Sequence, residues 1–227
     1  MINFVNARLH RPERGWDPIP PSYAADYSNE QWSTIDHGLL DDLEKRVGGF
    51  AGKTILDLGG GPAHYALAMA QRGGIVTWHD VSSTYLELAR RKADEFGLQY
   101  KVRFSLGYLD EAPQILSEQF DFVFNRICWN YGFADRSFAA VLYSMVKPGG
   151  FAYVDTTHSG FKRDQLPTLA RMRTWLNDHT GIKIGHPLPP HGRLARLFLA
   201  FAVKRMTIDY RSPTNDRIFF EKADLCE

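Results

Sequence analysis

Cysteine is scarce in this chain: Cys128 and Cys226 are the only two among 227 residues. Two thiols cannot build the disulfide framework of a small secreted scaffold, and they point to a reducing compartment. An excess of charge of one sign is lacking too. The 27 Lys and Arg stand against 26 Asp and Glu, a formal net charge of +1, so no bulk attraction to nucleic acid or to an anionic membrane follows. The longest greasy run, Leu194 to Val203, is too short to span a bilayer and carries Arg196. No basic segment leads into an apolar one near the N-terminus, so a signal peptide is not expected and the cytoplasm is. The eight histidines include neither H-x3-H nor H-E-x-x-H, and Cys128 has no cysteine near it, so no metal site is expected. Internal repeats, low-complexity tracts and interdomain linkers are missing as well. What is present is ordinary: 44% apolar and 23% charged residues, a globular composition long enough for one full core.

The order of elements gives the fold class. Residues 1–30 are rich in Pro, Arg and Tyr, and Pro18, Pro20 and Pro21 block regular structure, which predicts an irregular arm. Gln31 to Gly48 reads as a helix, with Ile35, Leu39, Leu43 and Val47 at helical spacing. Strands follow at Thr54–Leu58, Ile75–Asp80, Lys101–Leu106, Phe120–Asn125 and Phe151–Asp155, with helical patterns between them. The helix after the second strand carries Thr84 and Glu87 in capping-box spacing, and Asp135 can cap a later one. Strand–helix alternation implies parallel pairing through right-handed crossovers, with ligand beyond the carboxyl ends of the strands. Gln165 to His179 and about Leu194 to Phe201 read as helices, and Val203–Tyr210 and Arg217–Glu221 as strands. The reading is one doubly wound α/β domain over 31–227, with helices on both faces.

The densest information is the run Ile55-Leu-Asp-Leu-Gly-Gly-Gly-Pro-Ala-His-Tyr65. A strand ends in Asp57 and Leu58, then turns through glycines into a helix, and the next strand closes on a second acid, Asp80. No Lys follows the glycines, so this is not the phosphate loop of a nucleotide hydrolase. The third glycine of a dinucleotide G-x-G-x-x-G is missing, and Asp57 would repel a pyrophosphate. A cofactor with a positive amine and no phosphate fits better, and S-adenosylmethionine is such a molecule.

Here the chain resembles the class I S-adenosylmethionine-dependent methyltransferases, whose first motif runs acid-x-Gly-x-Gly-x-Gly. Asp57, Gly59 and Gly61 match it, with Ala63 at the last glycine. Asp80, within His-Asp-Val-Ser, resembles the family's ribose-binding acid. Val146-Lys-Pro-Gly-Gly150 resembles the turn before its fifth strand. The likeness covers roughly Thr34 to Asp155. It implies a mostly parallel seven-stranded sheet closed by an antiparallel edge, and an inserted helical cap at about 161–192 over the acceptor pocket.

Carried onto this sequence, the resemblance implies that Gly59, Gly60, Gly61 and Ala63 border the methionine part, with Asp57 directed toward its amine. Asp80 takes the ribose hydroxyls, and Val81 packs on the adenine. Tyr108 and Leu109 flank the other adenine face; many relatives place an acid where Tyr108 stands. Asn125 ends strand four beside the methionyl amine. On the acceptor side, Trp129 and Tyr131 follow strand four and suit a planar or apolar molecule. Tyr23 and Tyr27 of the arm can close over the site. His158, after strand five, is the candidate general base, needed only for a protonated acceptor. Lys162, Arg163, Arg171 and Arg173 make a basic cluster that can hold an acidic substrate or merely be solvated. His64 starts a helix, where the dipole disfavours its charged form.

The leading expectation is methyl transfer to a small-molecule acceptor at oxygen or nitrogen. Nucleic acid is the runner-up: amino-methylating nucleic-acid enzymes of this family often carry Asn/Asp-Pro-Pro-aromatic after strand four, where this chain reads Asn125-Arg-Ile-Cys128. A cofactor-binding protein without catalysis and a nicotinamide oxidoreductase complete the alternatives.

Overall fold

A computed structural model describes residues 2–156, 197–198, 201–212 and 215–224. Seven strands form one sheet: β1 (Thr54–Leu58), β2 (Ile75–Asp80), β3 (Val102–Leu106), β4 (Phe120–Arg126), β5 (Val146–Asp155), β6 (Val203–Ser212) and β7 (Asn215–Lys222). Their spatial order is β3-β2-β1-β4-β5-β7-β6. Neighbours from β3 to β5 pair in parallel, while β7 runs antiparallel to both β5 and β6. The chain order reverses between β1 and β4, and a doubly wound sheet opens its ligand crevice at that switch, beyond the carboxyl ends of the two strands.

The central strands are apolar on both faces because both are covered. Alternate residues of β4 separate into two cores. Phe122 and Phe124 join Tyr153 of β5 and the helices α3 (His37–Val47), α4 (His64–Gln71) and α5 (Ser83–Glu95). Phe120 and Val123 join Val154, Phe220 and the helix α7 (Asp135–Ser144), with α6 (Ala112–Leu116) on the same face. The sheet is therefore sandwiched between helical layers, and its carboxyl edge is left to loops.

Five local expectations are corrected. The N-terminal segment is not irregular: α1 spans Ile2–Leu9 and α2 spans Pro21–Ser33. Pro21 occupies the first turn of α2, where its missing N–H costs nothing and its fixed φ favours entry. The helix expected over 31–48 is two. Residues 31–33 finish α2, and α3 starts at His37 because Asp36 caps it, its side chain accepting the Leu39 N–H at 2.8 Å. The cap of α5 is Ser82, accepting from the Tyr85 N–H, rather than Thr84. Asp135 is the first residue of α7, and its carboxylate accepts the Trp129 indole N–H at 3.1 Å. β5 also begins earlier than expected, taking in the Lys147-Pro-Gly-Gly turn with a register irregularity against β4.

Candidate cofactor and acceptor site

The glycine turn is fixed by the neighbouring strand. The Gly59 and Gly60 N–H groups donate to the His79 carbonyl at 2.8 and 3.3 Å, and the Gly61 N–H donates to Asp80 Oδ2 at 2.9 Å. Trp78 closes the turn from below, its Nε1–H donating to the Gly61 carbonyl at 3.1 Å. A Cβ at Gly60 would lie 2.3 Å from the Trp78 ring and 2.8 Å from Asp57 Oδ2. One at Gly59 would lie 2.3 Å from Cys128 Sγ, at a φ of +83°. Past these packed positions the turn opens, with nothing within 4 Å of a Cβ at Gly61. Ala63 has φ +63°. It takes the left-handed conformation that explains a glycine there in the motif, and an L-residue adopts it at a cost of about 1–2 kcal/mol.

Asp57 is 3% exposed; the Ala66 backbone N–H in the first turn of α4 favours its ionised form, while Oδ2 has no hydrogen-bond partner among the described residues. Burial, and then the charge of Asp80, push its pKa up to about 8. Asp80 is half-buried and accepts the Ser82 N–H with Oδ1 and the Gly61 N–H with Oδ2. Burial raises its pKa, and those backbone donors oppose the rise. Asn125 is fully buried. Its amide donates to the Leu58 carbonyl at 2.8 Å and to Cys128 Sγ at 2.9 Å, while Oδ1 has no hydrogen bond. Among the described residues, Asp57 Oδ2 and Asn125 Oδ1 are each buried without a donor, and an ammonium group against Asp57 would supply one and favour its ionised form. The α-amino group of S-adenosylmethionine meets that requirement, and Asp80 can serve the ribose.

Tyr108 and Leu109 lie at the far rim, and Tyr108 is already engaged by the N-terminal segment. Its hydroxyl donates to the His10 carbonyl at 2.7 Å, and Trp16 stacks on it at 6.1 Å. Arg11 lies over the Tyr108 ring and forms a two-pronged pair with Glu111 at 2.7 and 2.9 Å. Leu109 is buried with Leu56, Leu58 and Cys128. Asp17 completes a strap. Its carboxylate accepts from the Thr84 N–H at 2.7 Å and from the Ser83 and Ser82 hydroxyls, just past Asp80 and Val81. Residues 10–17 thus tie the loop after β2 to the loop after β3. Sequence reasoning missed these residues, because nothing local marks an Asp whose hydrogen-bond partners lie 65 to 67 positions later.

On the acceptor side the aromatics separate. Tyr23 stacks on Tyr27 at 5.7 Å, and Tyr27 lies 6.2 Å from Tyr85. Tyr131 is 63% exposed, and the charge of Asp80 is among the influences raising its pKa, after burial, Tyr23 and Cys128. These tyrosines lie close enough together to influence one another's ionisation. Trp129 does not join them: only 2% exposed, it packs on Phe138 at 4.9 Å and on Phe198. The physical reason is the turn before it, where Ile127 takes φ +67° with its N–H on the Asp155 carbonyl. A β-branched residue rarely adopts that conformation, and it stores about 1–3 kcal/mol of strain. His158, the basic cluster and the segment 161–192 lie outside the described residues.

Two groups at the carboxyl edge gain weight in the structure. His64 is buried with Nδ1 unpartnered, and burial, then the charge of Arg126, push its pKa down to about 3. It is neutral, and too weak to serve as a base near neutral pH. Arg126, the last residue of β4, lies over the Tyr65 ring at 5.1 Å. A cation closing a strand with an apolar Phe122-Val-Phe124 centre was the available signal.

Residues 55–150 match the family model described as a methyltransferase domain. The chain is 29% identical over 117 residues to a ubiquinone biosynthesis O-methyltransferase of Acinetobacter baumannii (strain ACICU), an alignment covering 52% of this chain and 49% of that protein. It spans about half the length of the curated relatives it matches. Its fold is similar to that of a Methanococcus maripaludis protein assigned as an S-adenosyl-L-methionine-dependent methyltransferase, with TM-score 0.62, 15% identity and coverage of 90% and 94% of the two chains. It is also similar to an O-methyltransferase family protein from Burkholderia thailandensis, with TM-score 0.59, 20% identity and coverage of 89% and 60%. The fold is Rossmann-like. Residues 55–150 resemble a methyltransferase domain, and the curated relatives and similar folds carry the names of S-adenosyl-L-methionine-dependent methyltransferases and O-methyltransferases.

Proposed function

We propose that this chain transfers the methyl group of S-adenosylmethionine to oxygen or nitrogen of a small-molecule acceptor. The observation that carries the reading is the pair of buried acceptors, Asp57 Oδ2 and Asn125 Oδ1, that lack a donor among the described residues, with Asp57 at a glycine turn whose outer face is open. The cofactor supplies the electrophile, since its sulfonium methyl is already activated. What remains for the protein is to orient the acceptor and exclude water. Asp57 and Asn125 would hold the amine, Asp80 the ribose diol, and the 10–17 strap would shield the nucleoside. The tyrosines would align the acceptor, and His158 would take a proton from a hydroxyl.

A ubiquinone-pathway O-methyltransferase among the relatives supports methylation at oxygen, and no helix among the described residues is long and apolar enough to cross a membrane. The test is release of S-adenosylhomocysteine when the purified protein meets S-adenosylmethionine and a library of hydroxylated and aminated metabolites. Turnover with at least one acceptor is expected. Cofactor binding without any turnover would leave a binding protein; salt-sensitive RNA or DNA methylation would establish the runner-up. Replacing His158 with Ala is expected to slow transfer to a hydroxyl acceptor and leave cofactor affinity unchanged. Equal rates would remove it as the base.

A further inference from the structure

We propose that the acceptor carries a carboxylate, bound by Arg126 at the end of β4, over the Tyr65 ring. This deepens the methyl-transfer reading above and rests on it. Arg126, Asp155 and Arg217 stand side by side across β4, β5 and β7, in register with one another. Asp155 is fully buried, 3.5 Å from Arg126 Nε and 3.2 Å from Arg217 Nε. Both Nε atoms are buried without a hydrogen-bond partner. Charge holds the three together, then, while donors on both guanidiniums stay unspent.

The three groups sum to one excess positive charge. Among the described residues the two guanidiniums share one carboxylate, and Arg126 is the more distant of the two, so its charge is only partly offset; Asp42 beside Arg217 is paired with Arg46. The Asp36 carboxylate is engaged in capping α3. A cation that is 17% exposed, with a buried donor lacking a partner, is costly to maintain and gains most from an anion. The planar guanidinium fork matches a carboxylate through paired N–H donors.

The surroundings suit a flat body attached to that carboxylate. Tyr23 and Tyr27 lie nearly parallel, at 11°, and Arg126 is close enough to Tyr27 to oppose the burial that raises its phenol pKa. Tyr23 is 54% exposed and offers an open aromatic face. Neutral His64 sits near Arg126 with Nδ1 unpartnered, able to meet a bound group without adding charge. Arg126 ends the same strand as Asn125, at the carboxyl edge of the sheet where the cofactor is proposed to lie.

The test uses the full chain saturated with S-adenosylhomocysteine and titrated with paired probes: 4-hydroxybenzoate, 3,4-dihydroxybenzoate and 4-hydroxyphenylacetate, each against its amide. At least one acid should bind about tenfold or more tightly than its amide, the scale of a charge-assisted pair. Arg126→Gln should erase that preference, and Arg126→Lys should keep part of it. No preference for any acid, or a preference that survives Arg126→Gln, would overturn the proposal. Should Arg126→Gln fail to fold, the acid-against-amide comparison in the wild type and in Arg126→Lys decides. Wild-type protein that does not bind S-adenosylhomocysteine would sink the methyl-transfer reading instead, and titrating the same pairs without cofactor would still decide between acid and amide.

Discussion

The two halves of the carboxyl edge are built from different materials. The cofactor half, around β1 and β2, is made largely of backbone: glycine N–H groups, the His79 carbonyl, and acids one strand apart. The acceptor half is made of side chains drawn from α2, α4, β4, β5 and β7, and nothing local in the sequence joins them. Backbone recognition requires particular residues at fixed spacing, so it leaves a motif. Side-chain recognition needs only that distant residues converge, so it leaves none. The cofactor can therefore be read from one short run, while the acceptor has to be argued from geometry.

The sharpest way to break this contrast is to add one methyl group to the turn. Gly60→Ala places a Cβ against the buried Trp78 ring, where overpacking costs about 1–3 kcal/mol. A turn displaced from its ligand is expected to lose about 100-fold in cofactor affinity, or about 2.7 kcal/mol. A thermal melt alongside a cofactor titration checks both effects. Near-normal binding would mean that the backbone is not the reading head. Asp80→Ala comes next. Losing a charge-assisted hydrogen bond worth about 1.5–3 kcal/mol should weaken cofactor binding at least about tenfold, and unchanged affinity in a folded variant would refute the ribose assignment.

The smallest expected effect is one of pH. With a pKa of about 8, Asp57 keeps its proton in the free folded chain at neutral pH, whereas an unfolded chain loses it near the ordinary value. The folded state binds the extra proton between those limits, so this group's contribution to stability declines as pH rises from about 4 to about 8. An ammonium placed against Asp57 favours its ionised form, so cofactor binding should expel a proton, and affinity should climb toward pH 8. Above that the cofactor's own amine, near the α-amino value of about 7.7–8.0, loses its charge and affinity falls again. Calorimetric titrations in buffers of different ionisation enthalpy would count the proton, and Asp57→Asn should abolish its release.

The same contrast explains what was legible beforehand. β1, α4 and β2 begin where the apolar runs and glycines place them, because tight turns permit little else. Residues 1–30 are helical despite their prolines, because a proline that breaks a helix interior starts a helix at its first turn, as Pro21 does in α2. Trp129 was expected to face the acceptor, and the left-handed turn at Ile127 is a conformation that no propensity assigns to isoleucine. Asp17 and Arg126 went unrecognised because their partners lie 67 and 29 positions away, at Thr84 and Asp155.

One titration addresses the root of the account: the purified chain against S-adenosylmethionine, with NADH as the parallel ligand. One equivalent bound per chain at micromolar concentration, with NADH silent, is the expected result. Retention of NADH together with indifference to millimolar S-adenosylmethionine would contradict it.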